Sequence, residues 1–434
     1  MKIQNVKGCY DFLPNEQKVR NYINDILKET FESYGYLSIE TPILSYYDML
    51  SDKYDEENDI LKEIYKLKDQ GERNLGLRYD LTVPFAKFIA LNKNNIKLPF
   101  KRYEISKVFR DGPVKVGRDR EFTQCDIDVV GLSGQEIEAE LISLYLRAFN
   151  KMNIEVIIKY NSRNLMRGIV EDLVEDKENI TNVITIIDKI DKITKQEFID
   201  SLKKYNIKEE ISNKLLEYFK LDLKGITKEF KNTNNKLIRK GLDELNNLTN
   251  ILKELKINKS CIFTPSLARG QEYYTGNVFE VYEKNGILTS SIGGGGRYDN
   301  MITEFINDGE TYPAVGVSFG LSSLYELLKT REEFTKSNEI DIYVIPLNTF
   351  KDSFIISEQL RNTGLKVLLE LENKKLKKCL DFANKEEIDY VLIIGEDEIK
   401  EEKLQLKNMK DGSISKISLK NINKVKDIIK KKNK

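Results

Sequence analysis

Three short segments concentrate residues able to do chemistry. The first is Leu77-Arg78-Tyr79-Asp80-Leu81-Thr82-Val83-Pro84. Read as a strand, it sets an acid and a hydroxyl two positions apart on one face, and that pair suits an ammonium group. The plain alternative is a charge cluster at a strand end. The second segment runs from Phe100 to Gly131. Its arginines Arg102, Arg110, Arg118 and Arg120 fall on two strand-like runs joined by the loop Gly112–Gly117. Planar guanidinium groups on neighbouring strands can form a fork for phosphate. Gln124, Asp126 and Asp128 alternate on the return strand and so point one way. A surface charge ladder is the alternative there, weakened by the apolar neighbours. The third segment carries Arg269-Gly270-Gln271-Glu272-Tyr273-Tyr274-Thr275-Gly276, then the consecutive glycines Gly293 to Gly296 before Arg297-Tyr298-Asp299. Such a run lets backbone amides approach a ligand closely, or else makes a tight hairpin. It is neither a Walker loop nor a dinucleotide fingerprint, because no Lys-Ser/Thr follows and the spacing differs.

The rest of the composition narrows the chemistry. None of the 434 residues is histidine, which excludes Ser-His and Cys-His nucleophiles and imidazole acid–base work. Cys9, Cys125, Cys261 and Cys379 make no CxxC pair, so a zinc site is not expected and reduced thiols are. Arginine, carboxylate, tyrosine, backbone amides and a substrate-borne metal ion remain. Lys+Arg and Asp+Glu balance at 70 each, so any nucleic-acid contact must come from local patches. No apolar run approaches the roughly 18 residues a membrane span needs. Met1–Asp11 lacks a secretory signature, and a cytoplasmic protein is expected.

Several elements must position these groups. Apolar spacing through Val19, Ile23, Ile26, Leu27 and Phe31 predicts a helix over 14–35, with Pro14 in its first turn and Gly35 ending it. Thr41-Pro42 suits a sheet edge or subunit boundary. Lys101–Phe109 and Glu121–Val130 predict a hairpin in an antiparallel sheet, and Gln135–Phe149 a helix. Residues 165–252, rich in Lys, Asp, Glu and Asn, read as a helical insertion. Strand-like sequence resumes at Cys261 and runs to Gly320, followed by a helix over Leu321–Lys329 and a charged linker. Ile340–Pro346, Lys366–Leu371 and Tyr390–Ile394 alternate with helical stretches, an α/β pattern. Lys420–Lys434 holds seven lysines against one aspartate, a solvated helix end or a contact for RNA phosphates.

Together the segments resemble class II aminoacyl-tRNA synthetases, and among them the histidyl-tRNA synthetases. Thr41-Pro42 looks like the first class motif, Phe109-Arg110-Asp111 through Arg120-Glu121-Phe122 the second, and Gly316 through Leu324 the third. Arg269-Gly270-x-x-Tyr273-Tyr274-Thr275-Gly276, followed by Phe279-Glu280, resembles the segment peculiar to the histidine enzymes. The resemblance implies an α+β fold: a catalytic core of antiparallel sheet flanked by helices over 1–160 and 253–328, a helical insertion over 161–252, and an α/β anticodon-binding domain over 336–434.

It also implies site residues. Asp80, Thr82 and Gln124 match positions around the amino acid's ammonium, Asp128 with Tyr273 and Tyr274 match positions around the imidazole, and Leu81 counts among the histidine-binding residues. A neutral imidazole has one donor and one acceptor, which a carboxylate and a phenol answer together. Arg110 and Arg269 match the catalytic arginines that meet the histidine carboxylate and the ATP α-phosphate. Arg118 and Arg120 become candidates for the outer phosphates, and Lys115 for the tRNA acceptor end. ATP with accompanying Mg2+, histidine, tRNA(His) and a homodimer follow as expected partners, with no protein-bound metal. Two departures stand out. Ser323 occupies the place of the third-motif arginine, leaving Arg331 or another cation to substitute, and Gln271-Glu272 replaces a hydrophobe and an aspartate. The first departure favours the rival resemblance, a synthetase-like regulatory subunit of ATP phosphoribosyltransferase without aminoacylation.

Overall fold

The computed structural model describes residues 2–51, 59–269, 273–335 and 339–431. Gly270, Gln271 and Glu272 of the third segment, the start of the C-terminal unit at 336–338, and Lys432–Lys434 lie outside the described residues. The chain divides into two compact units, one of Met1–Phe12 and Val19–Leu328, the other of Leu13–Lys18 and Lys329–Lys434.

The first unit is built on an eight-stranded sheet. It begins with the short edge strand β1 (Leu37–Ser38). A separate three-stranded sheet follows from β2 (Leu44–Tyr46), β3 (Lys66–Lys68) and β4 (Asn74–Leu77), ordered β2-β4-β3. The main sheet continues with β5 (Phe100–Phe109), β6 (Glu121–Val130), β7 (Val156–Ser162), β8 (Cys261–Phe263), β9 (Asn277–Glu283), β10 (Gly293–Arg297) and β11 (Ala314–Gly320). Its order is β1-β5-β6-β11-β10-β9-β7-β8. The ladders from β5 through β7 are antiparallel, and only the outer pairs β1/β5 and β7/β8 are parallel. The expected hairpin is β5–β6, paired from Phe100↔Val130 to Phe109↔Glu121.

Strand alternation separates the two faces of β6. Cys125, Ile127 and Val129 are fully buried on one side. Phe319, opposite Cys125 in the ladder, has its ring 5.7 Å from Phe31 and 4.5 Å from Tyr145. Those partners come from the helices Pro14–Ser33 and Gln135–Lys151, whose stripes Ile23, Leu27, Phe31 and Leu141, Tyr145, Ala148 recur at helical spacing. Fully burying a side chain such as Phe31 contributes roughly 1.5–3 kcal/mol. The other face of β6 carries Gln124, Asp126 and Asp128, and it is the face of the candidate site.

Between β7 and β8 the chain forms a run of helices that starts with Arg163–Leu173 and Ile180–Ile187 and closes with Lys236–Glu254. Asn235 caps the last of these by accepting from Leu237 and Ile238 N–H. The second unit is a five-stranded sheet of β12 (Ile342–Pro346), β13 (Val367–Leu369), β14 (Tyr390–Ile394), β15 (Lys403–Asn408) and β16 (Ile414–Ser418), ordered β13-β12-β14-β15-β16. Strands β13, β12 and β14 are parallel and helices cover both faces, as the apolar strands require. The lysine-rich end is not a frayed, solvated helix over its described part. Asn423–Lys431 docks through Val425 and Ile429, which are 0% and 2% exposed. Among the described residues no helix is long and apolar enough to cross a membrane.

Candidate active site

The polar face of β6 forms one wall of a cavity. Asp80, Thr82, Gln124, Asp128, Arg269, Tyr273 and Tyr274 all line it, drawn from three segments far apart in the chain. Period-2 alternation suffices to place Gln124 and Asp128, because register with β11 sets Gln124 opposite Gly320 and Asp128 opposite Gly316. A Cβ on Gly316 would fall 1.7 Å from Asp128 Oδ1, so only glycine leaves the carboxylate its place.

Asp80 and Thr82 reach the cavity by a different route from the strand geometry expected of them. β4 ends at Leu77, and Thr82 opens the helix Thr82–Asn92 with Leu81 at its cap position. Asp80 Oδ1 accepts from the Val83 N–H at 3.1 Å, as an acid does ahead of a helix's unsatisfied amides. Leu81 itself is fully buried, and its carbonyl accepts from Arg102 Nη2 at 3.1 Å.

Arg102 does not belong to a phosphate fork. It is wholly buried, with Nη2 2.6 Å from Asp128 Oδ2 and Nη1 3.8 Å from Glu104 Oε2. The first contact is ionic rather than a well-aligned hydrogen bond, and Asp128 Oδ2 keeps no hydrogen-bond donor. Asp128 Oδ1 accepts from the Tyr298 hydroxyl at 2.5 Å. Of the other arginines, Arg110 hands its Nε–H to the Tyr79 carbonyl at 3.0 Å and lies 5.1 Å over the Phe122 ring. Its charge reaches Asp80 and pulls that carboxyl pKa downward against burial. Arg120 pairs with Asp111 at 3.1 Å and donates to the Gly112 carbonyl. Arg118 and Lys115 exchange backbone hydrogen bonds of 2.8 and 3.1 Å around Gly117, whose φ is +72°, and both side chains are exposed. None of Arg110, Arg118, Arg120 and Lys115 lines the cavity.

The four glycines are neither a hairpin nor a cradle of free amides. They form β10 and spend their backbone groups in ladders with β9 and β11. What matters is the missing Cβ, since one on Gly294 would lie 2.4 Å from Arg269 Nη1. Gly294 is bare so that Arg269 can lie across the strand, while Gly295 clears the Gly316 carbonyl and Gly296 the Tyr274 ring. Arg269 Nη1 in turn donates to Glu280 Oε1 at 2.9 Å.

Electrostatically the cavity is prepared for a polar guest. Asp80 Oδ2, Gln124 Oε1, Asp126 Oδ1 and Arg269 Nε are buried without a hydrogen-bond partner, an arrangement that is costly unless a ligand supplies one. Burial pushes the Asp80 carboxyl up to about 6. It pushes Asp126 up to about 8, opposed by Arg102 and reinforced by Asp128. Asp126 and Tyr298 also line the cavity, beyond the site residues that the family resemblance implies. The alternation of Gln124, Asp126 and Asp128 already pointed to Asp126. Tyr298 follows the glycine run directly, but nothing local shows that its hydroxyl meets Asp128.

The place of the third-motif arginine is filled by the chain itself. Ser323 is 7% exposed, and a Cβ on Gly117 would lie 3.3 Å from its Oγ. Ser322 Oγ donates to Asp119 Oδ2 at 2.8 Å. The loop between β5 and β6 therefore packs directly over the start of the helix Leu321–Leu328, where a long side chain would need room. Arg331 falls in the second unit.

Family models match most of the chain: histidyl-tRNA synthetase over residues 8–324 and an anticodon-binding domain over 341–431. Histidine–tRNA ligase 1 of Bacillus cereus is 50% identical over 428 residues, covering 96% of each chain. The chain belongs to the histidyl-tRNA synthetase family. Histidine–tRNA ligase 2 of Shouchella clausii is 41% identical, over 94% of this chain and 97% of that one. The crystal structure of histidyl-tRNA synthetase from a Nostoc species superposes with TM-score 0.83 at 29% identity, covering 98% of this chain and 99% of that one. A Bacillus halodurans structure described as an ATP phosphoribosyltransferase regulatory subunit/histidyl-tRNA synthetase shares the fold, with TM-score 0.77 at 21% identity. The α+β expectation, a catalytic core of largely antiparallel sheet with a separate C-terminal anticodon-binding domain, is that of the histidyl-tRNA synthetase family.

Proposed function

We propose that the protein is a histidine–tRNA ligase, activating histidine with ATP and transferring it to the 3′-terminal adenosine of tRNA(His). The supporting observation is the set of unpartnered polar atoms converging on one cavity. Asp80, Thr82 and Gln124 form an acceptor-rich end for the ammonium. Asp128, with Tyr273 and Tyr274, forms the end that reads the imidazole, and Leu81, which does not line the cavity, holds Arg102 behind Asp128 through its carbonyl. Polar readout of this kind rejects analogues that leave buried groups unpaired.

In the first step a histidine carboxylate oxygen bonds to the α-phosphorus while the bond to the β-phosphate oxygen breaks, releasing pyrophosphate. Arg269, beside the cavity, and Arg110, whose charge reaches Asp80, stabilise the charge that develops at phosphorus. Arg118 and Arg120 meet the outer phosphates, Mg2+ arrives with ATP, and Lys115 faces the acceptor end of the tRNA. The carboxylate is already ionised, so a chain without histidine lacks no general base for this step. The domain limits 1–160 with 253–328, 161–252 and 336–434 belong to the same proposal. So do a cytoplasmic location and a homodimer with Pro42 at its interface. Leu37, Ile43, Leu44 and Tyr46 are 40–60% exposed beside Pro42, an apolar patch of the sort that subunits cover.

The rival regulatory role rests on Ser323. Near-complete alignment with ligases at 50% identity and a matched anticodon-binding domain weigh against it. ATP–pyrophosphate exchange separates the two. Exchange that requires histidine, followed by charging of tRNA(His), is expected; absence of histidine-dependent exchange overturns the proposal.

A further inference from the structure

Arg269 is held in an unusual way. Its φ is +63°, in the left-handed region that residues with a Cβ adopt only when their surroundings impose it. The approach to it is tied down from below, where Asn161 Nδ2 donates to the Pro265 and Leu267 carbonyls at 2.7 and 3.0 Å. The peptide groups of Ala268 are then gripped from both sides by the helical run between β7 and β8. Arg163, which opens the helix Arg163–Leu173, donates from Nη1 to the Ala268 carbonyl at 3.2 Å. Asp188, which ends the helix Ile180–Ile187, accepts the Ala268 N–H on Oδ1 at 3.0 Å. Ala268 is 1% exposed, so without Asp188 its N–H has no replacement acceptor while the segment stays closed, and the segment loosens.

The guanidinium is held separately, through side chains of β9. Burial raises the Tyr282 phenol pKa most, then Glu280, with a smaller electrostatic contribution from Asp188. The Tyr282 hydroxyl donates to Glu280 Oε2, and Glu280 Oε1 takes the Arg269 guanidinium. The backbone leading into Arg269 is thus referred to the end of one helix outside the sheet, and its guanidinium to Glu280 on β9.

We propose that Asp188 is a positioning residue for Arg269, fixing the strained turn so that the placement of this helix sets where the guanidinium sits in the cavity. It is not among the residues lining the cavity; its oxygen acts through the Ala268 amide. This rests on the ligase function proposed above for its kinetic readout, but not for its structural one.

Two variants of the full chain test it, Asp188→Ala and Asp188→Asn, the latter retaining an acceptor oxygen in the same place. In Asp188→Ala, amide hydrogen exchange across Ser266–Arg269 accelerates while the helix Lys236–Glu254 stays protected, showing an intact fold. The kcat of histidine-dependent ATP–pyrophosphate exchange falls about 10-fold, as expected for a displaced catalytic group. KM for histidine moves less than kcat, since Asp80, Thr82, Gln124 and Asp128 bind the amino acid from segments other than the one Asp188 holds. Asp188→Asn restores both protection and kcat. Unchanged protection in Asp188→Ala, a KM effect without a kcat effect, or an asparagine variant as impaired as the alanine one overturns the proposal. A parent protein with no histidine-dependent exchange overturns the ligase function instead, and the exchange of the Ala268 amide still decides the role of Asp188.

Discussion

Arg102 and Asp128 form an ion pair closed off from solvent, with Nη2 2.6 Å from Oδ2 and neither side chain more than 4% exposed. The pair fixes the orientation of Asp128, which reads the imidazole in the proposed function, and explains why an arginine on β5 is lost to phosphate binding. Replacing it leaves the Asp128 carboxylate buried without its cation, whereas Glu104 keeps Arg78 at 3.0 Å. Arg102→Met is therefore expected to cost about 3–5 kcal/mol of stability in denaturant unfolding. A variant of normal stability with a raised KM for ATP alone would return Arg102 to the phosphate fork.

Asp126 makes stability depend on pH. Its carboxyl rises from 3.8 to about 8 in the folded chain, mainly through burial. Between those values the native state binds more protons than the unfolded state, so stability falls as pH rises through the window. Asp126→Asn removes that dependence. In the ligand-free protein its Tm advantage over the parent should grow from pH 4 to pH 8, and a difference that stays constant across this range refutes the account.

The bare strand β10 is expected to be intolerant of a single methyl. Gly294→Ala places a Cβ 2.4 Å from Arg269 Nη1 and should lower kcat about 10-fold by displacing the guanidinium. Gly286→Ala is the comparison, since a Cβ there meets nothing within 4 Å although its φ of +76° strains the backbone. Equal loss in both variants would trace the effect to strain and not to Arg269.

Arg110 and Arg269 are expected to act on the transition state. Arg110→Gln and Arg269→Gln should each lower kcat for pyrophosphate exchange by about 10²–10³. A rise in KM for ATP at unchanged kcat would show ordinary binding instead.

Much of this protein is legible along the chain because its signals are local. The alternation in Glu121–Val130 sets Gln124, Asp126 and Asp128 on one face, and the stripe Val19, Ile23, Leu27, Phe31 sets the buried side of the first helix. Histidine's absence limits the chemistry, and the motif residues suffice to name the family. Other features depend on what lies across the ladder or on the next element. Whether Arg102 faces phosphate or Asp128 is decided by its register partner on β6. That Gly294 serves Arg269 by leaving space, and not by offering an amide, follows from β9 and β11 having already taken the amides of this strand. Asp80 arrives ahead of a helix and not along a strand, because its carboxylate satisfies the Val83 amide. Composition and period act over a few residues, whereas charge pairing and steric room are set by neighbours that only folding brings within a few ångströms.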